Sequence, residues 1–106
     1  MQSKVLDILE KLNIEVIYID DEVYCDQEQI VYSTEEKDSD FSDDKNKSIE
    51  YEIIIKYKYR DINNVMKYTK IKNLLKINGY VFKGASDSKD GDIYIKNMVF
   101  EFKESL

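Results

Sequence analysis

Histidine, proline and tryptophan are absent from this sequence, and cysteine occurs once, as Cys25. Without histidine the chain cannot build a Ser/His or Cys/His pair for nucleophilic catalysis, and a structural zinc site is not expected. A single cysteine excludes a disulfide within the chain, which indicates a reducing compartment such as the cytosol. The acidic residues around Cys25 disfavour its thiolate, so we do not expect a catalytic cysteine.

Glycine and long apolar runs are also scarce. The three glycines are too widely spaced in the sequence to form a Gly-rich phosphate loop. No apolar run approaches the ~20 residues of a membrane span. Asp7 and Glu10 interrupt the apolar pattern near the start, which argues against a signal peptide. The net charge of −6 argues against nucleic acid as a general partner.

The charges that are present are unevenly distributed along the chain. Residues 20–44 hold eleven acidic residues and one basic residue, whereas residues 56–76 hold seven basic residues and one acidic residue. Two explanations are open: the two stretches form solvated surfaces of opposite sign, or they are complementary patches through which one copy contacts another.

The clearest structural signal is the stretch 49–59, which reads IEYEIIIKYKY. Apolar residues occupy every odd position, and the even positions are polar except for Ile54. This period of two over β-branched and aromatic residues predicts a long strand with one buried face. Ile54 suggests that the second face is partly covered as well.

Other elements are predicted around this strand from apolar periodicity, caps and turn residues. They are a helix over 4–12, a loop over 20–29, strands over 14–19 and 30–34, a helix over 62–78, and strands over 80–83 and 93–103, the last after a turn at Asp90-Gly91. The order α-β-β-β-α-β-β predicts a single α+β domain over residues 1–106. We expect a four- to five-stranded, mostly antiparallel sheet with two helices packed on it.

A common interior follows from these faces. Its expected members are Val5, Ile8, Leu9, Tyr51, Ile53, Ile55, Tyr57, Ile71, Leu74, Leu75, Phe100 and Phe102. The polar stretch between the second and third strands is predicted to be a flexible acidic loop at about 35–47. Phe41 is its single large apolar residue, either an anchor onto the domain or a contact with a partner.

Three stretches carry residue types that are found in chemical sites. The acidic runs 38–44 (DSDFSDD) and 87–92 (DSKDGD) lack the spacing of a calcium loop, so solvated loops explain them. Glu101 and Lys103 form the E-x-K half of a nuclease site, with Glu50 or Glu52 as the missing acid. The same pattern is typical of any strand with one wet face, so the sequence predicts no catalytic, metal or cofactor site.

The order of elements resembles the tail-completion, or tail-terminator, proteins of long-tailed phages and prophages, also called minor capsid or head-to-tail joining proteins. The resemblance covers nearly the whole chain and depends on order and spacing. Its parts are the opening helix SKVLDILEKLNI, the short strand Ile30-Val31-Tyr32, the acidic Ser42-Asp43-Asp44, the alternating strand 51–57, a helix ending in Gly79-Tyr80, and the closing strand 98–102.

This resemblance implies a structural, non-enzymatic subunit that is monomeric or weakly associated when dilute and assembles as a ring, typically of six copies. The ring would cap the tail tube and meet the neck or connector protein, with DNA only passing through its lumen and no membrane involved. The expected location is the cytoplasm of a host bacterium and then the virion. Charge complementarity between copies selects these candidate contact residues: Asp38, Asp40, Asp43, Asp44, Lys67, Lys70 and Lys72. Phe41 is the apolar candidate for the same contact.

Two other classes of function stay open. One is a small ligand-binding or regulatory domain that uses a cleft between the sheet and the helices. The other is a metal-dependent nuclease built on Glu101 and Lys103.

Overall fold

The computed structural model describes residues 2–19, 27–38 and 48–105, with side chains for 3–19, 27–37 and 49–104. Its elements are α1 (Gln2–Leu9), β1 (Glu15–Tyr18), β2 (Glu28–Asp38), β3 (Ser48–Tyr59), α2 (Lys67–Ile77), β4 (Val81–Asp90) and β5 (Ile93–Ser105). Short 3₁₀ turns over Glu10–Leu12 and Ile62–Met66 follow α1 and precede α2. The predicted α+β order is confirmed.

The five strands form one mixed sheet in the order β1-β2-β3-β5-β4. β1 pairs with β2 in parallel, and the other three pairs are antiparallel. β3 lies in the centre and is paired along its length by β2 on one side and β5 on the other. The longest alternating stretch of the sequence therefore satisfies its backbone groups on both edges.

Both helices pack on the same face of the sheet, which we call the covered face. Ile53, Ile55 and Tyr57 point to this face, and each has no exposed surface. α1 contributes Val5 and Leu9 to the same cluster, and α2 contributes Ile71 and Leu75, because their spacing places them on one side of each helix. The predicted interior is confirmed, with Tyr51, Leu74 and Phe102 partly buried at its margin.

Two strands are longer than the sequence predicts. β2 has eleven residues and β4 has ten, where the apolar patterns indicated strands over 30–34 and 80–83. The exposed residues added at the far ends, 35–37 of β2 and 85–90 of β4, are mostly polar and are held by pairing with β3 or β5 rather than by burial. Glu28 and Gln29, placed in a loop by the sequence, also belong to β2.

This extension corrects the predicted flexible loop. Residues 35–38 are not loop but strand, with Glu35 opposite Glu52 and Lys37 opposite Glu50. The Nζ atom of Lys37 lies 3.1 Å from a carboxylate oxygen of Glu52. The rest of the predicted loop, 39–47, lies outside the described residues, as does the stretch 20–26.

The β4–β5 hairpin ends in a two-residue loop, Gly91-Asp92, because Asp90 pairs with Ile93. Gly91 is the first central residue and has a φ of 60°, as a type II′ turn requires. The turn therefore lies one residue later than an Asp90-Gly91 turn, and residues 87–90 are strand rather than loop.

The second helix starts in two stages. The side chain of Asp61 accepts a hydrogen bond from the backbone N–H of Asn63 at 2.9 Å, which makes Asp61 the N-cap of the 3₁₀ turn. The 3₁₀ turn over Ile62–Met66 comes first, and the α-helix begins at Lys67. Gly79, with a φ of 93°, follows the helix end, as predicted.

Candidate functional site

Lys67, the first of the three candidate contact lysines, is tied to the body of the domain. Its Nζ atom lies 2.8 Å from one carboxylate oxygen of Glu28 and 3.1 Å from the other. Glu28 also accepts hydrogen bonds from the Tyr57 hydroxyl at 3.1 Å and from Asn64 at 3.3 Å, and its side chain is only 17% exposed. Lys67 therefore joins the start of α2 to the start of β2 within one copy.

The sequence does not predict this network, because the mostly acidic stretch 20–29 indicates a loop at Glu28. A signal was present: Glu28, Ile30 and Tyr32 alternate, which places Glu28 on the same face as the two buried residues. Recognising the longer strand would have placed a carboxylate beside the core, where it needs partners.

The other two lysines differ from each other. Lys70 lies on the exposed side of α2. Lys72 is half-buried, and its Nζ atom lies 4.3 Å from the centre of the Phe82 ring, a cation–π contact with β4. Lys70 is thus the candidate lysine best placed for a contact between copies, and Lys76 is a second exposed base on the same helix.

The acidic half of the predicted contact is described only in part. Asp38 ends β2, where its backbone pairs with Ile49 of β3. Asp40, Phe41, Asp43 and Asp44 lie outside the described residues. The candidate lysines are on α2, which packs on the covered face, whereas β2 lies near the β1 edge of the sheet.

The face of the sheet opposite the helices, which we call the open face, carries apolar residues as well as charges. Val31 is only 7% exposed and Ile54 is half-buried, so the expected partial covering of this face is present. They line a groove of about 160 Å³ together with Ile19, Lys56 and Lys58. This volume is below the range of about 300–1,000 Å³ usual for small-molecule sites.

The residues of the nuclease hypothesis also meet on the open face. Glu101 pairs directly with Glu52, and Lys103 pairs with Glu50. Two of these carboxylates form ion pairs with lysines: the Nζ atom of Lys37 lies 3.1 Å from Glu52, and that of Lys83 lies 3.8 Å from Glu101. The hydrogen bond to Glu52 raises the pKa of Lys37. Among the described side chains, no group of three or more converges as metal ligands would.

A second groove, of about 350 Å³, opens between α1 and the end of β5. Its walls carry Lys4 and Asp7 from α1 beside the rings of Tyr80 and Phe102, whose centres are 4.7 Å apart. Burial raises the pKa of Tyr80, and the charge of Glu104 raises it further. The Nζ atom of Lys4 also lies 3.4 Å from a carboxylate oxygen of Glu104. The groove combines an apolar floor with charged groups of both signs, as small-molecule sites often do.

No protein-family model matches the chain, and no curated protein matches it significantly. Within the described residues, no helix is long and apolar enough to cross a membrane.

Proposed function

We propose that this chain is a structural assembly protein that caps the tail tube of a phage, prophage or phage-tail-like particle as a ring and joins it to the neck. The observation that supports the proposal is the element order α-β-β-β-α-β-β around one long alternating strand. This is the order on which the resemblance to tail-completion proteins depends, and the proposal needs no catalytic group.

The proposed ring joins unlike surfaces of neighbouring copies, because a closed ring needs a heterologous interface. The basic side is the exposed part of α2, with Lys70 and Lys76. The acidic side is the end of β2 and the stretch that follows it, with Asp38, Asp40, Phe41, Asp43 and Asp44. Lys67 and Lys72 support the fold of α2 instead, since each has a partner within the same copy.

Electron microscopy of the purified protein, alone and mixed with the tail-tube protein of the same particle, tests the proposal. Rings or capped tube ends are expected, and they should weaken with added salt because the Debye length falls to ~8 Å at physiological ionic strength. Lys70→Glu together with Lys76→Glu should reduce ring formation, with Asn73→Gln on the same helix as a control. Absence of both rings and tube binding at every salt concentration would reject the proposal.

A second candidate function, a small ligand-binding domain, is favoured by the groove beside Tyr80. A saturable thermal shift with one class of metabolite, lost in Lys4→Ala or Asp7→Ala, would support this function instead. Neither substitution removes a buried side chain, so both proteins should fold.

A further inference from the structure

The outer edge of β4 has no partner strand among the described residues. β4 pairs with β5 along one edge over ten residues, and every residue from Ala85 to Asp90 is exposed. Such an edge presents a row of backbone N–H and C=O groups that can pair with another strand. The edge therefore needs either protection or a partner.

Only the beginning of β4 carries a β-bulge. The ladder with β5 shifts register between Phe82 and Gly84, so Lys83 stands at a bulge. A bulge is one of the ways in which proteins block an edge. From Gly84 to Asp90 the pairing with β5 is regular, which leaves a straight edge open to a second strand.

The side chains along this straight edge alternate between the two faces. Asp87 and Lys89 lie on the covered side, where Asp87 contacts Lys96 and Lys89 lies over the Tyr94 ring. Ser86, Ser88 and Asp90 lie on the open side; Ser86 and Ser88 both accept hydrogen bonds from the amide of Asn97. A partner strand must match this alternation to keep both faces continuous.

We propose that this edge pairs with the same edge of a second copy, antiparallel, about a two-fold axis at Ser88. In this register Asp87 of each copy stands opposite Lys89 of the other, and Ser86 stands opposite Asp90. Cross-strand pairs of opposite charge are favourable. Both sets of helices lie on the same side of the joined sheet.

The neighbouring registers are disfavoured by charge. The smallest change of register that keeps each side chain on its own face moves the two-fold axis by one residue along β4. An axis at Asp87 places Asp87 opposite Asp87 of the other copy, and an axis at Lys89 places Lys89 opposite Lys89. Like charges directly opposite each other destabilise a strand pair. The sequence Ser-Asp-Ser-Lys-Asp therefore selects a single two-fold register.

The contact is small, and we expect a weak, concentration-dependent dimer of the transient class, below about 1,200 Å² of buried surface. The inference does not rest on the proposed ring, because it uses the backbone edge of β4, whereas the ring uses exposed lysines of α2 and the end of β2. A ring that retained this pairing would be one of two rings placed back to back.

Disulfide crosslinking tests the register. In a Cys25→Ser background, Ser88→Cys places two cysteines opposite each other at the axis, within the Cα separation that a disulfide requires. Ser86→Cys is the matched control, since it has the same residue type, face and exposed edge but lies four residues along the strand from its counterpart. Under mild oxidation, Ser88→Cys should give about tenfold more crosslinked dimer than Ser86→Cys. Equal crosslinking, or none from Ser88→Cys, would overturn the proposal.

Charge exchange tests the pairing independently. Within the Ser88→Cys protein, adding Lys89→Asp or Asp87→Lys brings like charges together, so either protein alone should lose crosslinking. Mixing the two proteins restores both opposite-charge pairs and should restore a crosslinked heterodimer. Circular dichroism checks that each variant is folded, because Asp87→Lys also removes the contact with Lys96. Failure of the mixture to crosslink, with both proteins folded, would contradict the register.

Discussion

The two faces of the sheet are made by the same strands but have opposite characters. On the covered face Ile53, Ile55 and Phe100 have no exposed surface, whereas on the open face their neighbours Ile54 and Val99 are half-buried among charged residues. One face carries the hydrophobic stabilisation of the single copy, and the other leaves apolar surface accessible. Residues of the covered face therefore stabilise the fold, whereas apolar residues of the open face are accessible to a partner molecule.

The largest expected effect comes from a matched pair on β3. Ile53→Ala should lower the free energy of unfolding by roughly 2–5 kcal/mol, the range for truncating a fully buried aliphatic side chain. Ile54→Ala, one residue along, removes the same atoms from the open face and should cost about 1 kcal/mol. Urea unfolding measures both. Equal losses would show that the open face is as well packed as the covered face.

Alternation in the sequence predicted these two faces because β3 shows it over eleven residues with one exception. The full lengths of β2 and β4 could not be predicted in the same way. Their outer halves, STEEKD and ASDSKD, carry almost no apolar residue, and they are ordered by pairing with strands that are distant in sequence. Apolar alternation in a sequence predicts which side chains are buried, but it does not predict which exposed polar residues belong to a strand.

The candidate lysines illustrate the same limit. Charge clustering selected Lys67, Lys70 and Lys72 together, although only Lys70 is exposed. Lys67 differs from Lys70 because it contacts Glu28, which lies 39 residues earlier in the sequence. The packing of α2 on the sheet brings the two side chains together. A tertiary contact of this kind leaves no local signal in the sequence.

The second prediction uses this difference on α2. Lys67→Glu places a second carboxylate beside Glu28 and should cost about 1–3 kcal/mol, the penalty for a partly buried polar group that loses its partner. Lys70→Glu, at an exposed position of the same helix, should change stability by less than about 0.5 kcal/mol. Shifts in the midpoint of chemical unfolding provide the test. A neutral Lys67→Glu would mean that Glu28 does not hold the start of α2.

A third prediction concerns the turn of the β4–β5 hairpin, where Gly91 and Asp92 are exposed. Gly91→Ala should cost about 1 kcal/mol, because a side chain at a φ of 60° is strained whatever space surrounds it. Gly84→Ala is the control: no atom lies within 4 Å of the added Cβ, and its φ is not in the left-handed region. Thermal unfolding of the two variants should therefore differ, and a stable Gly91→Ala would contradict the type II′ turn.

The smallest predicted effect concerns the tyrosines of the covered face, which change the free energy of unfolding only at alkaline pH. Burial raises the pKa of Tyr32, Tyr59 and Tyr80 above the ordinary value near 10. Below that pH both the folded and the unfolded chain keep these hydroxyls protonated, so the shift contributes no pH dependence. Above about pH 10 the unfolded chain loses its protons first, and stability must fall as the pH rises.

Lysines also begin to lose their charge in this range, so the tyrosine effect needs its own control. Tyr59→Phe keeps the buried ring and removes the ionising hydroxyl. The free energy of unfolding of this variant should therefore decline less steeply above pH 10 than that of the parent chain. Ultraviolet absorbance reports tyrosinate formation in the folded protein during the same titration. Identical slopes for the two proteins would show that Tyr59 ionises as readily in the folded chain as in the unfolded one.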